Sequence, residues 1–272
     1  MAREIKPYEE LELKDDFMFG LIMHDSKYVK PFLEMILKIK IRKVVYPQSQ
    51  KSIDLSANAK AIRLDVYVED DQNTVFNLEM QTSDNRNLPK RMRYYQGVID
   101  LNILQKGQDY TKLKKSYVIF ICTFDPFGEG RHIYTFCNIS QENTALTLDD
   151  DAVKIILSTK GTMDDVSPEM KRILDYIDGK GASDEYTKQL EEAVRSTRQN
   201  ESWRLGYMTL EYEYRQRYEE GLKEGEETGI AKTNERSIRK LYKRGESIAS
   251  IAEFVELDEE AVKRIIKAMG LE

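Results

Sequence analysis

Two carboxylates and an amide, Asp65, Glu79 and Gln81, are the residues of this 272-residue chain whose types and spacing most directly point to chemistry. They lie in residues 61–82, AIRLDVYVEDDQNTVFNLEMQT, whose two halves alternate apolar with other residues at the period of two expected of strands. Ile62, Leu64, Val66 and Val68 share one face of the first half, and Arg63, Asp65, Tyr67 and Glu69 the other. In the second half Phe76, Leu78 and Met80 take the apolar face, with Val75, Asn77, Glu79 and Gln81 opposite. The polar run Asp70-Asp71-Gln72-Asn73 between them predicts a hairpin turn. Because pairing preserves parity, a loop centred near Gln72 puts Asp65 opposite or diagonal to Glu79, with Gln81 one step along. Facing carboxylates repel. A shared proton, Arg63 or a divalent cation must compensate, and oxygen-only ligands of this kind suit Mg²⁺ or Mn²⁺.

The elements that position this hairpin follow from the flanking sequence. Asp15 or Asp16 caps a helix predicted over 17–37, with Phe17, Leu21, Val29, Phe32, Leu33, Ile36 and Leu37 on its apolar face. Residues 41–46 read as a first strand. After a break at 85–89, residues 90–105 read as a helix opened by Lys90, Arg91 and Arg93. Arg91 and Tyr95, four apart, share a face of it. A cation and a phenol beside carboxylates suit a scissile phosphate; an ordinary solvated basic face fits Arg91 equally well, and packing is favoured for Tyr94. Residues 117–124 are nearly all apolar, as in a strand covered on both faces, and 133–139 and 152–158 read as further strands. His24 and His132 have no companion ligands and are assigned no role. Asp149-Asp150-Asp151 reads as a solvated turn.

The ordered set D65…E79-M80-Q81 resembles the core of the PD-(D/E)XK nucleases, with Gln81 where the usual motif has Lys. Further residues sharpen the resemblance: Lys14-Asp15-Asp16-Phe17-Met18-Phe19 before the hairpin, Arg91 and Tyr94-Tyr95 after it, then Lys106-Gly107-Gln108-Asp109-Tyr110 and the strand at 117–124. Together they look like the Rpn family of recombination-promoting nucleases and transposases over roughly residues 1–161. A lone D…ExQ arises by chance, and the ordered set is far more specific. The resemblance implies an α/β fold with a restriction-endonuclease-like core, a mixed sheet flanked by helices, and an all-α C-terminal extension. It implies a metal-dependent DNA endonuclease hydrolysing phosphodiester bonds, associated with recombination or transposition. Asp65 and Glu79, with a backbone carbonyl near Met80, would hold Mg²⁺ or Mn²⁺, and Asp16 would lie beside the metal, although capping alone is the favoured reading for Asp16. Gln81 can hydrogen-bond but carries no charge, so Lys90 or Arg91, with Tyr95, becomes the candidate phosphate contact.

Composition bounds these readings. A hydrophobic content of 40% supports a core, and no apolar run approaches the length of about 20 residues that spans a bilayer. The acidic N-terminus lacks the apolar stretch of a signal peptide. Cys122 and Cys137 lack paired metal spacing and are expected in the core of a reduced, cytoplasmic protein. The net charge of −6 does not advertise a nucleic-acid binder, since such affinity rests largely on Lys and Arg; local positive charge or bound metal would have to offset it.

Three regions are expected: a nuclease-like domain at 1–165, a helical extension and connector at 166–232, and a small helical module at 233–272. Ser167 and Pro168 open a helix with Met170, Ile173, Leu174 and Ile177 as its stripe, and 183–202 reads as another. Gly221, Gly225 and Gly229 permit close helix contact, as in a homodimer through the C-terminal helices, or mark a flexible connector, which is favoured because each glycine costs a helix about 1 kcal/mol. The tail reads as three short helices, the last two capped by Ser247 and Asp258. They resemble a helix-turn-helix, but the recognition helix would begin Asp258-Glu259-Glu260, which disfavours major-groove reading. Lys232, Arg236, Arg239, Lys240, Lys243 and Arg244 make the preceding helix basic, leaving non-specific DNA contact open. The competing classes are a catalytically weak or inactive nuclease-fold module that binds DNA or protein, and a regulatory protein acting through the tail.

Overall fold

A computed structural model describes residues 5–46, 52–53, 62–63 and 65–271, with backbone alone at 52–53 and 62–63. Leu64 and the Arg63 side chain lie outside the described residues, and with them the expectation that Arg63 neutralises the carboxylate pair. The chain divides into two compact units, Met1–Leu205 and Gly206–Glu272.

The first unit is built on a six-stranded mixed sheet. Its strands are β1 (Val44–Val45), β4 (Val66–Asp70), β5 (Val75–Gln81), β6 (Ser116–Cys122), β7 (Ile133–Phe136) and β8 (Ala152–Ser158), in the order β1-β4-β5-β6-β8-β7. A separate two-strand ribbon pairs β2 (Ser52–Ile53) with β3 (Ile62–Arg63). β4 and β5 form the antiparallel hairpin, with Val66 opposite Leu78 and Glu69 opposite Val75. That register is centred on Gln72, and the turn closes through Asn73 at φ 64°, a left-handed conformation that Asn tolerates well. β5, β6 and β8 run parallel. Parallel neighbours need a crossover, and α3 (Leu88–Ile103) supplies it between β5 and β6.

Burial explains the sequence pattern. In β6, Val118 through Cys122 are all fully buried, as an inner strand covered on both faces must be. On one face Tyr67, Val75, Val118, Phe120, Cys122 and Ile156 meet Leu88, Met92, Tyr95, Val98 and Ile99 of α3 in one apolar cluster. The face of the hairpin that carries Asn77 and Glu79 is therefore roofed by α3, and both residues are wholly buried. α1 (Asp16–Met23) packs against β5, and α2 (Ser26–Leu37), α4 (Pro168–Ile177) and α5 (Glu185–Arg198) complete its layer.

Several expected boundaries shift for identifiable reasons. The single helix at 17–37 is two helices, because the Asp25 side chain accepts the Lys27 amide and caps α2 afresh. Asp15 occupies the N-cap position of α1, but its carboxylate turns back to Lys6 and the Glu12 amide. The strand at 41–46 shrinks to β1. Cys122 is buried as expected, whereas Cys137 lies exposed just beyond β7. His132 lies in the bend before β7 with its ring buried and Nδ1 2.8 Å from Oδ1 of Asp165.

In the second unit, α6 (Glu201–Tyr242), which begins in the first, continues unbroken past Gly221, Gly225 and Gly229, so the expected flexible connector is helical. α7 (Ile248–Val255) and α8 (Glu259–Ala268) follow, capped by Ser247 and Asp258 as the sequence predicts. Ile238, Ile251, Ala252, Val255, Val262 and Ile266 form their shared core. Among the described residues, no helix is long and apolar enough to cross a membrane.

Candidate active site

One register step beyond Val66–Leu78 brings Asp65 beside Glu79, across the open end of the hairpin. The Asp65 amide donates to Oε1 of Glu79 at 3.2 Å, and the Met80 amide donates to Oδ2 of Asp65 at 3.1 Å. Each carboxylate is thus held by the other's strand. α1 closes in behind: a Cβ placed on Gly20 would lie 3.4 Å from the Asp65 carbonyl oxygen.

Arg91, on the first turn of α3, reaches into this pair. Its Nη2 donates to Oε2 of Glu79 at 3.0 Å, Nη1 to Oε1 of Gln81 at 2.5 Å, and Nε to the Tyr95 hydroxyl at 2.9 Å. The guanidinium also lies 5.0 Å from the ring centroids of both Tyr95 and Phe120, which hold it by cation–π contact. Asn77, two residues before Glu79 on the same face, donates Nδ2 to Glu79 Oε1 at 3.2 Å. Burial pushes the Glu79 carboxyl well above the usual carboxylate range and the neighbouring Asp65 pushes it further, while the Arg91 guanidinium offsets part of both.

A cleft of about 270 Å³ opens over these groups, lined by Lys14, Asp15, Asp16, Asp65, Gln81 and Arg91 among others. Asp16 therefore stands on the wall opposite the hairpin, at the start of α1, with Oδ1 accepting the Phe17 amide. Lys90 points elsewhere: it is exposed, and among the described residues it has no carboxylate within 4.0 Å. Tyr94, expected to pack, is 37% exposed, whereas Tyr95 is buried beside Arg91. Sequence reasoning missed Asn77, Phe120 and the lining role of Lys14. Asn77 was legible as the i−2 neighbour of Glu79 on one strand face. Phe120 needed the parallel register that sets it opposite Glu79.

Among the described residues, no three Asp, Glu, His or Cys side chains come together as a closed metal cage. The donors at hand are the Asp65 and Glu79 carboxylates, with the Gln81 amide and Asp16 nearby, all oxygens. A hard cation that binds through one or two carboxylates and otherwise keeps its waters fits such an open set. Zinc, which favours nitrogen and sulfur, does not.

No curated protein and no solved structure matches this chain. The family of PD-(D/E)XK nuclease family transposases matches it over residues 14–226, which takes in the cleft-lining Lys14 and Asp16, the hairpin and α3. With the mixed sheet and most of the chain in agreement, the protein belongs to the PD-(D/E)XK nuclease family transposases.

Proposed function

We propose that the chain is a metal-dependent endonuclease hydrolysing DNA phosphodiester bonds, of the Rpn type associated with recombination or transposition. The observation that carries this reading is the meeting of Asp65, which lines a cleft together with Arg91 and Lys14, with Glu79 buried behind it. PD-(D/E)XK nucleases generally use divalent metals. Asp65 and Glu79 are the residues that would hold Mg²⁺ or Mn²⁺ here. When bound, the ion supplies a Lewis acid for phosphodiester hydrolysis and makes hydroxide available near neutral pH. Arg91 brings the fixed positive charge that Gln81 lacks, and a guanidinium suits two phosphate oxygens at once. Gln81, oriented by Arg91 and by its own bond to the Ser83 carbonyl, is left to position water through its amide.

One observation favours the inactive nuclease-fold module. Both Glu79 oxygens already accept hydrogen bonds, from the Asp65 amide, Asn77 and Arg91. Calorimetric titration of the apo protein with Mg²⁺ and Mn²⁺ separates the two readings. The nuclease reading expects saturable binding that Asp65→Ala removes without altering the circular dichroism. Absence of binding by a folded wild-type protein would favour the inactive module.

A further inference from the structure

The end of α6 carries four cations, Lys232, Arg236, Arg239 and Lys240, spaced i, i+4, i+7 and i+8, and Lys243 and Arg244 follow in the turn beyond it. At about 100° per residue the four on the helix fall within an arc of roughly 100°. Ile238 and Leu241, which enter the core shared with α7 and α8, lie on the opposite side of the helix. All six cations are exposed, and among the described residues none has a carboxylate within 4.0 Å. Like charges spaced three and four apart on a helix repel one another.

We infer that this row is a sequence-independent grip on the phosphate backbone of duplex DNA, which delivers substrate to the proposed nuclease and rests on that reading. On α6 the row runs about 12 Å at 1.5 Å per residue, a length over which duplex DNA presents roughly seven phosphate charges. Base readout is not its purpose. The helix-turn-helix-like pair α7–α8 presents Asp258, Glu259 and Glu260 at the start of the helix that would enter a major groove, and these repel phosphates. Phosphate contacts of this kind set affinity and position while sequence goes unread. The row also answers how a chain of net charge −6 holds a polyanion: the positive charge is gathered on one helical face.

The test uses the full-length chain, a fluorescein-labelled 30-bp duplex of mixed sequence, and EDTA throughout, so that cleavage plays no part. Fluorescence anisotropy is read across a KCl series for wild type and for Arg239→Gln/Lys240→Gln/Lys243→Gln/Arg244→Gln. The quadruple variant is expected to bind at least tenfold more weakly at 100 mM KCl and to lose about 3.6 from the slope of log K against log salt, about 0.9 for each of the four phosphate contacts removed. Unchanged affinity and slope in a quadruple variant with wild-type circular dichroism overturns the inference, as does a wild-type protein that fails to bind the duplex. Retained DNA binding with lost self-association in gel filtration also overturns it, assigning the row to the acidic face of a second copy. Metal-dependent plasmid nicking by the same proteins reads the nuclease reading separately, because either result can fail while the other holds.

Discussion

The guanidinium of Arg91 stands 3.0 Å from Oε2 of Glu79, a carboxylate with no exposed surface, at the point where α3 crosses the open end of the hairpin. The pair ties α3 to β5. It also sets one buried negative charge against one cation, so removing either leaves the other without compensation.

Arg91→Ala is therefore expected to destabilise the first unit by about 3 kcal/mol at pH 8, the usual consequence of stranding one member of a buried pair. Urea unfolding of the apo protein measures it. Arg91→Lys should recover only part, because a single ammonium cannot reach Glu79, Gln81 and Tyr95 together.

The pH dependence of that variant follows from the burial of Glu79, which raises its folded-state pKa above the unfolded value. Protonation then favours the folded state, and stability falls as pH rises from the ordinary carboxylate range through the elevated folded value. Losing Arg91 removes a guanidinium that opposes this shift. Unfolding midpoints at pH 5 and pH 8 should show Arg91→Ala closing part of its gap to wild type at the lower pH. A gap that widens on acidification would contradict this origin.

Gly161→Ala tests the packing around His132. A Cβ there would lie 2.4 Å from the His132 ring and 2.7 Å from its backbone nitrogen, while Asp165 holds both ring and amide. Ring rotation cannot relieve a clash with the backbone, so a loss of roughly 1–3 kcal/mol is expected from urea unfolding. Metal-dependent cleavage at 20 °C should be unaffected, since His132 lies outside the cleft lining.

The C-terminal unit has its own small core, and Ile251 is fully buried in it. Ile251→Ala should cost about 2–5 kcal/mol within that unit. Hydrogen exchange would show α7 and α8 losing protection while β5 and β6 keep theirs.

The geometry of the candidate site was legible wherever one periodicity decided it. Parity about Gln72 was enough to put Asp65 beside Glu79, because side chains alternate strictly along a strand. Helical spacing put Arg91 and Tyr95 on one face. Legibility failed where tertiary packing chose between equal local options. Tyr94 and Tyr95 are chemically identical neighbours, and only the sheet beneath α3 decides which is buried. The hairpin face carrying Asn77 and Glu79 reads as polar, yet α3 roofs it over. The break between α1 and α2 rests on the side chain of Asp25, a cap hidden inside an otherwise continuous apolar pattern. Gly221, Gly225 and Gly229 lower helix propensity by only about 1 kcal/mol each, too little to interrupt α6.

The central claim, hydrolysis of DNA at the Asp65–Glu79 pair, is tested most directly by nicking of supercoiled plasmid with Mg²⁺, Mn²⁺ or EDTA, comparing wild type with Asp65→Ala. Nicking that requires the metal and drops by at least 100-fold in the variant is the expected result. Nicking that persists in folded Asp65→Ala, or a folded wild-type protein that never nicks with either metal, would contradict it.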